Sequence, residues 1–263
     1  MDINPVALHI AVLGLGEAGS RFANDLAGLG VTVTAWDPNP RYPLHPDVQF
    51  CASNPAACKG ADLIWSVNLA QVSGDVAREV APYLEPGQVF GEMNTTSPEA
   101  KKQAEKILAG SGALFADVAI MAPVPPKGIY TPLWVSGPGA RAFAEKSALA
   151  GLTVQVLGPE TGAASTRKLL RSIVYKGLAA VIGEATQAAE ALGLETYIRE
   201  QIREVTGLSN DLTDRFLEGS RTHALRRSHE MAAVADMLRH LGMEPVMTDA
   251  TCLSLERLIP PST

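Results

Sequence analysis

Polar residues recur at four-residue intervals in an otherwise apolar helical stretch near the middle of the chain. Lys168, Ser172 and Lys176 lie at i, i+4 and i+8, so they share one face of a helix, with Tyr175 beside them. Desolvation in a dry cleft can lower the pKa of a lysine towards neutrality. The spacing is typical of a solvated polar face, but the position of this helix directly after the strand-rich part of the chain, where a cleft between domains would open, favours a functional face.

The segments that must position this helix begin with a glycine turn. Gly14, Gly16 and Gly19 fit the pattern G-x-G-x-x-G directly after an apolar run. In that pattern the glycines allow a tight turn, close approach of the backbone to a pyrophosphate, and close packing of the following helix, whose N-terminal amides point at the phosphates. We therefore predict a dinucleotide-binding turn. Its expected cofactor contacts are Gly14, Leu15, Gly16, Glu17, Ala18 and Gly19.

The predicted second strand, residues 31 to 36, ends at an acidic residue. Asp37 follows Gly19 by 18 residues and can accept hydrogen bonds from the adenosine ribose. A carboxylate would repel the 2′-phosphate of NADP, which favours NAD, although Arg41 lies close enough in sequence to offer that phosphate a partner. The predicted cofactor is NAD or NADP, with NAD slightly favoured.

Composition limits the classes of partner. The chain has 263 residues and 46% hydrophobic content. Its net charge of −6 argues against nucleic acid or an anionic membrane as the main partner. No apolar run reaches the roughly 18 residues needed to span a bilayer, and the N-terminus lacks a signal pattern, so we expect a cytoplasmic protein. Cys51, Cys58 and Cys252 lack C-x-x-C spacing, so we expect neither a disulfide framework nor a metal site.

The alternation of apolar runs predicts the fold class. Strands and helices alternate up to about residue 157, and long helical patterns replace them from Ala163 onward. We predict an α/β chain: a Rossmann-type doubly wound NAD(P)-binding domain over 1–160, followed by an all-α substrate and dimerisation domain over 161–263. The helical domain should begin with one helix of about 30 residues, followed by helices near 195–206, 211–218, 222–241 and 250–258.

Polar residues follow two of the predicted strands at their carboxyl ends, where a doubly wound sheet binds its ligands. Asn68 could contact the cofactor or cap the next helix, and Ser97 before Pro98 is typical of a helix N-cap. The proline-rich segment from residue 119 to 128 should be a fixed loop. The further expected cofactor contacts are Ser66, Val67, Asn68, Asn94 and Thr95.

These motifs together resemble the β-hydroxyacid dehydrogenase family, which includes the 3-hydroxyisobutyrate and 6-phosphogluconate dehydrogenases. The resemblance rests on Gly-Leu-Gly-x-x-Gly, Ser66-Val67, Asn94-Thr95 followed by Ser97-Pro98, and the helix bearing Lys168. It is closest to a short branch with a small helical C-terminal domain. That branch is marked by Lys168-Leu-Leu-Arg-Ser172 with Lys176-Gly177, and by His223-Ala-x-Arg-Arg with Glu230-Met231.

The resemblance implies hydride transfer between nicotinamide and a small hydroxy acid or related alcohol in a cleft between the domains. Lys168 would be the general acid/base and Ser172 would orient the substrate. Two departures concern the substrate: Asp117 leads into Met121-Ala-Pro where the family has Asp-Ala-Pro-Val-Ser-Gly-Gly, and Ser172 replaces an asparagine. The family's substrate therefore does not carry over directly.

Several residues could supply the missing substrate contacts. The candidates are Met121, Lys127, Tyr175 and His223, with Arg227 as a further cation. For His223 a surface or structural role is the alternative to substrate contact, and for Tyr175 packing in the core is the better interpretation. Of Arg226 and Arg227, one is expected to be solvated and the other paired with Glu230.

The apolar faces of a domain of about 100 residues built on one long helix predict a homodimer. Two other functions stay open: an imine reductase, against which Lys168 speaks, and a non-catalytic protein that binds or senses NAD(P).

Overall fold

The computed structural model describes residues 8–260, which form two compact units, one up to Lys168 and one from Leu169 onward. The strands of the first unit are β1 His9–Leu13, β2 Thr32–Trp36, β3 Val48–Phe50, β4 Leu63–Ser66, β5 Val89–Glu92, β6 Leu114–Ile120, β7 Leu133–Ser136 and β8 Val154–Gly158. Its helices are α1 Glu17–Gly28, α2 Asn54–Cys58, α3 Ser73–Val80, α4 Pro98–Leu108 and α5 Ala140–Leu149.

The strands form one sheet in the order β3-β2-β1-β4-β5-β6-β7-β8. Neighbours pair in parallel except β6 and β7, which are antiparallel. The order reverses between β1 and β4, as in a doubly wound sheet, so the predicted Rossmann-type fold is confirmed. The antiparallel pair arises because β6 and β7 are joined by the proline-rich loop, and an antiparallel connection needs no crossover helix.

Both faces of the sheet are buried under helices, as expected for parallel strands. On one face, Trp65 of β4 meets Phe22 of α1 edge-on at 5.4 Å between ring centroids and stacks on Phe143 of α5 at 6.0 Å. The other face buries Ile64 of β4 and Phe90 of β5 with the apolar sides of α2, α3 and α4. Helices therefore cover both faces of the sheet.

The second unit is helical. Its helices are α6 Ala163–Leu192, α7 Glu195–Thr206, α8 Asn210–Thr222, α9 Ala224–His240 and α10 Val246–Glu256, and the division between the units falls inside α6. The predicted α6 and α7 have the observed bounds. None of the described helices has the length and apolar character needed to cross a lipid bilayer.

Two local predictions were wrong. The proline- and asparagine-rich composition of residues 37 to 55 predicts a loop with one short strand near residues 48 to 51. The structure has β3 there, yet α2 begins at the end of this stretch because the Ser53 hydroxyl accepts from the Ala56 amide at 3.2 Å and Pro55 fits the first turn. The last helix was expected from residue 250, but α10 begins at Val246, directly after Pro245.

Candidate functional site

The turn after β1 is built around Gly14, whose φ of +97° lies in the left-handed region. Its amide donates to the carbonyl oxygen of Trp36 at 2.8 Å, and a Cβ at Gly14 would lie 2.6 Å from the carbonyl oxygen of Val67. Backbone conformation and space both exclude a side chain here. The turn after β1 and the residues after β4, Val67 and Asn68, therefore meet at the point where the strand order reverses.

The start of α1 is shaped to receive a ligand. No side chain among the described residues caps this helix at Gly16, and a Cβ on Gly16 would meet nothing within 4 Å. A Cβ on Gly19 would instead collide with the carbonyl oxygen of Gly14, so this glycine lets the helix pack closely against the turn. Backbone amides at a helix start beside open space fit the pyrophosphate of a dinucleotide.

Asp37 ties the end of β2 to the glycine turn. One carboxylate oxygen accepts from the Leu15 amide at 2.7 Å and the other from the Asn39 amide at 2.7 Å. A carboxylate offers about four lone-pair sites, so it can hold both amides and still accept from ribose hydroxyls. Around the same turn Leu15 is buried, Ala18 is half-buried and Glu17 is exposed.

Two asparagines join the ends of β4 and β5. The Asn94 side-chain amide donates to Asn68 Oδ1 at 2.8 Å, and Ser66 Oγ donates to the same oxygen at 3.2 Å. Asn68 in turn donates to the carbonyl oxygen of Leu13 at 3.4 Å. The structure therefore brings together the candidates that follow three different strands, while Thr95 is half-buried immediately beyond Asn94.

A cluster of buried charged side chains lies next to Asn94. The Lys101 ammonium of α4 is 1% exposed and pairs with the carboxylates of Glu92 in β5 and Asp117 in β6. Burial opposes the charge on Lys101, but the two carboxylates outweigh it and raise the pKa of Lys101. Three buried charges thus hold α4 to neighbouring strands.

Each carboxylate of the cluster also accepts hydrogen bonds from a residue outside the cluster. Glu92 Oε1 accepts from the backbone and side-chain amides of Asn94. Asp117 Oδ2 accepts from the Gly162 amide at 3.2 Å, the Ser165 amide at 3.1 Å and the Ser165 hydroxyl at 3.0 Å. The cluster therefore fixes Asn94 on one side and the start of α6 on the other.

Sequence reasoning missed Glu92 and Lys101 as site-forming residues. A signal was present, because Lys101 occupies a position on the inward stripe of α4, which also contains Pro98, Ala104 and Leu108. A lysine in such a stripe is buried only when paired, so its position could have indicated a carboxylate partner inside the fold.

The proline-rich loop after β6 is fastened to α1. The Ile129 amide donates to Asp25 Oδ2 at 2.9 Å, and Arg21 donates to the carbonyl oxygen of Pro125 at 3.3 Å. Met121 at the start of the loop is buried in a cluster with Ala119 and Ala164, whereas Lys127 is exposed. The expected loop is thus fixed, although β6 runs through residue 120 rather than ending before Ala119.

The polar stripe of α6 consists of Lys168, Ser172 and Lys176, and the boundary between the two units falls after Lys168. Lys168 is half-buried and is the last residue of the first unit, while Ser172 and Lys176 are buried in the second. The ammonium of Lys176 donates to Ser172 Oγ at 2.9 Å and pairs with Glu230 of α9. The α6 stripe is therefore not a solvated face at these two residues.

Tyr175 packs in the helical unit rather than facing solvent. Its ring meets Phe216 of α8 edge-on at 4.6 Å, and the guanidinium groups of Arg171 and Arg227 lie 6.0 and 5.8 Å from its centroid. Such contacts between a cation and an aromatic face are attractive. His223 is half-buried where α8 ends and α9 begins.

The expectation for the two late arginines was wrong in one respect. Arg226 is both exposed and paired with Glu230 at 2.8 Å, so one residue fills both expected roles. Arg227 is buried, donates to Ser220 Oγ at 3.0 Å, and has a pKa lowered by burial. Because α9 turns Arg227 towards Tyr175 of α6, the helix crossing rather than the sequence spacing decides which arginine is buried.

Comparisons with known families agree with this geometry. Residues 9–123 match the NAD binding domain of 6-phosphogluconate dehydrogenase, and residues 189–258 match a domain of unknown function, DUF1932. The chain is 28% identical over 194 residues to an uncharacterised 28.5 kDa protein of Methanothermus fervidus, covering 73% of this chain and 74% of that protein.

Two solved structures extend the comparison to nearly the whole chain. The conserved protein MTH1747, described as structurally similar to 3-hydroxyacid dehydrogenases, is 28% identical with a TM-score of 0.71, covering 95% of this chain and 96% of its own. The 3-hydroxyisobutyrate dehydrogenase of Mycobacterium tuberculosis is 19% identical with a TM-score of 0.76, covering 95% and 93%, and at that identity shares the fold alone.

Proposed function

We propose that this chain, whose residues 9–123 match the NAD binding domain of 6-phosphogluconate dehydrogenase, is a member of the β-hydroxyacid dehydrogenase family and transfers a hydride between nicotinamide and a small hydroxy acid or a related alcohol. Lys168 is the proposed general acid/base and Ser172 the proposed substrate-orienting residue. When bound, the nicotinamide supplies or accepts the hydride. The rest of the chemistry belongs to the protein's own side chains.

The observation that carries the proposal is how the start of α6 is held. Asp117 of β6 binds the Gly162 and Ser165 amides, and Lys168 follows Ser165 by one helical turn. A lysine on the cofactor-binding unit, on a helix start fixed to the sheet, is suited to hold a proton at one place. It would remove the hydroxyl proton as the alcohol is oxidised and return a proton to the carbonyl oxygen in the reverse direction.

The residues of the glycine turn fit a dinucleotide, and Asp37 supports NAD over NADP. The start of α1 would hold the pyrophosphate, Asp37 the ribose hydroxyls, and the Asn68–Asn94 pair the nicotinamide half. A contact to a carboxylate of the substrate would come from Lys127 or His223, which both lie outside the glycine turn.

We further propose that the working form is a homodimer. Leu170, Val174 and Val181 lie along one side of α6 and are 47%, 69% and 55% exposed. Their spacing of four and seven residues makes one apolar stripe. A stripe of this kind on a long helix is a suitable surface for packing against a second copy.

The proposal is tested by comparing wild type with Lys168→Ala. We expect kcat on a hydroxy acid substrate to fall by about 10² to 10⁴-fold, because a general acid/base contributes that much, while the Kd for NADH stays within about threefold. The panel contains 2- and 3-hydroxy acids, the matching aldehydes and keto acids, and cyclic imines.

Arg167→Ala is the matched control, since Arg167 is the exposed neighbour of Lys168 and binds the Ala163 carbonyl of its own helix. It should leave kcat within about twofold. Full activity in Lys168→Ala would contradict the assignment. Tight NADH binding without turnover of any panel member would favour a sensing protein, and turnover of imines alone would favour an imine reductase.

A further inference from the structure

A buried lysine that the proposed chemistry does not use lies one turn beyond Ser172. Lys176 is 6% exposed, and its ammonium donates to Ser172 Oγ at 2.9 Å and to the Glu230 carboxylate. Glu230 is also buried and accepts from Arg226 at 2.8 Å. Burial of an ammonium is costly, so a lysine in this place needs both partners.

The charges around this lysine are predominantly positive. Burial lowers the pKa of Lys176, Glu230 opposes that effect, and Arg226 and Arg227 add to it. The Glu230 carboxylate is thus shared between Lys176 and Arg226, with the buried Arg227 close by. An additional negative or negatively polarised oxygen beside this cluster would be stabilised.

The direction of the Lys176–Ser172 hydrogen bond follows from the chemistry of an ammonium. An ammonium has three donors and no acceptor, so Ser172 Oγ must be the acceptor in this bond. Within residues 8–260, Lys176 is the side-chain partner that the structure gives Ser172. The Ser172 proton is not used in this bond and can be donated to a substrate oxygen.

We propose that Lys176 is a positioning residue that fixes the Ser172 hydroxyl as a hydrogen-bond donor to a substrate oxygen. This inference rests on the proposed function, because it assigns a role in binding the same substrate. The substrate atom must be an acceptor, which a carboxylate, carbonyl or hydroxyl oxygen can be and which an ammonium or an amide nitrogen cannot be. The bond to a cation also polarises the hydroxyl and strengthens its donation.

The test is a double-mutant cycle on kcat/KM with wild type, Ser172→Ala, Lys176→Met and the double variant. If Lys176 acts through Ser172, Lys176→Met should lower kcat/KM roughly tenfold when serine is present and less than about twofold when alanine is present. The same loss in both backgrounds would overturn the inference, since a purely structural role of Lys176 does not depend on the serine.

A second variant separates activity from folding. Lys176→Met leaves the buried Glu230 carboxylate without its Lys176 partner, so we expect this variant to be less stable than wild type. Lys176→Met/Glu230→Gln removes the buried charge and should recover the melting temperature. The kcat/KM loss should persist in this variant, and its recovery together with the melting temperature would contradict the positioning role.

The contact itself can be tested without substrate. In a ¹H–¹⁵N spectrum of the lysine ammonium groups, the Lys176 signal is identified by its loss in Lys176→Met, and it should shift in Ser172→Ala. An unchanged signal would overturn the inference on its own. If wild type turns over no panel member, the proposed function and the substrate part of the inference fail together, while this spectrum still decides whether Lys176 positions Ser172.

Discussion

At the scale of single residues, Asp37 joins two requirements of cofactor binding. Its carboxylate accepts from the Leu15 amide of the glycine turn and lies at the end of β2, where the ribose of a dinucleotide binds. The same side chain therefore shapes the turn and, in the proposed function, would distinguish NAD from NADP. These two roles predict different consequences when the carboxylate is removed.

For Asp37→Ala we expect the Kd for NADH to rise about tenfold, because hydrogen bonds from the ribose to a charged acceptor are lost, and the Kd for NADPH to change less than about threefold. Fluorescence titration with each cofactor measures both values. Asp47→Ala is a suitable control, since Asp47 is an exposed carboxylate ten residues further on. An equal loss for both cofactors would show that Asp37 acts only by holding the turn.

At the scale of elements, α1 depends on how closely it approaches the turn before it. The position of Gly19 leaves no room for a Cβ beside the Gly14 carbonyl, whereas a Cβ on Gly28, at the other end of the same helix, would meet nothing within 4 Å. Packing therefore requires glycine at the first of these positions and leaves space for a methyl group at the second.

We expect Gly19→Ala to lower the free energy of unfolding by about 1–3 kcal/mol and to weaken NADH binding, because the methyl group must push α1 away from the turn. Gly28→Ala, the matched control in the same helix, should raise the free energy of unfolding by up to about 1 kcal/mol. Urea unfolding measures both changes. If Gly19→Ala left the free energy of unfolding unchanged, the turn would move aside more easily than its contacts indicate.

The ion cluster of Glu92, Lys101 and Asp117 links α4 to β5 and β6. Removing its lysine leaves two carboxylates buried without their cation. We expect Lys101→Met to lower the free energy of unfolding by about 3–5 kcal/mol, since breaking a buried pair costs that much. Lys102→Met, at the exposed neighbouring position, should change it by less than about 0.5 kcal/mol.

The pH dependence of this loss has a definite sign. Because the pKa of Lys101 is raised above 10.5 in the folded state, its contribution is complete below pH 10.5 and is lost as the pH rises through the folded pKa. Deprotonation of Lys101 should therefore not reduce the difference between wild type and Lys101→Met from about pH 7 to about pH 10. A difference that shrinks within that range would be inconsistent with a charged Lys101.

At the scale of the whole molecule, the proposed dimer is tested at the apolar stripe of α6. Wild type should elute with twice the chain mass of 27.8 kDa in light-scattering chromatography, and Val174→Glu should elute as a monomer, because a charge in an apolar interface is costly. Val205→Glu, at an exposed valine of α7 outside the stripe, should stay dimeric. A monomeric wild type would refute the proposed dimer.

Much of the fold could be predicted because its signals are local. Apolar runs, glycine turns and helix caps indicated the order of strands and helices, and Ser97 caps α4 as expected through the Ala100 amide. The direction of β7 and the short helix α2 could not be predicted in the same way. Strand direction depends on the connection between strands, and α2 lies in a segment of loop-like composition.

The candidate site divides in the same way. The glycine turn and Asp37 were predicted from spacing, since a phosphate-binding turn is defined by residues close in the chain, and the role proposed for Lys168 came from the family resemblance. The pairing of Asn68 with Asn94 and the burial of Arg227 depend on which strand ends and helix faces meet, and spacing along the chain contains no such information.

The sequence by itself determined the Rossmann-type fold, the order of most strands and helices, and the glycine turn for which we propose dinucleotide binding. Only the tertiary structure decided that Lys101 is buried between two carboxylates and that Lys176 points its ammonium at Ser172 and Glu230. The physical reason is that the burial of a charged side chain is not determined by its place in the sequence. It depends on partners that the fold brings from distant strands and helices.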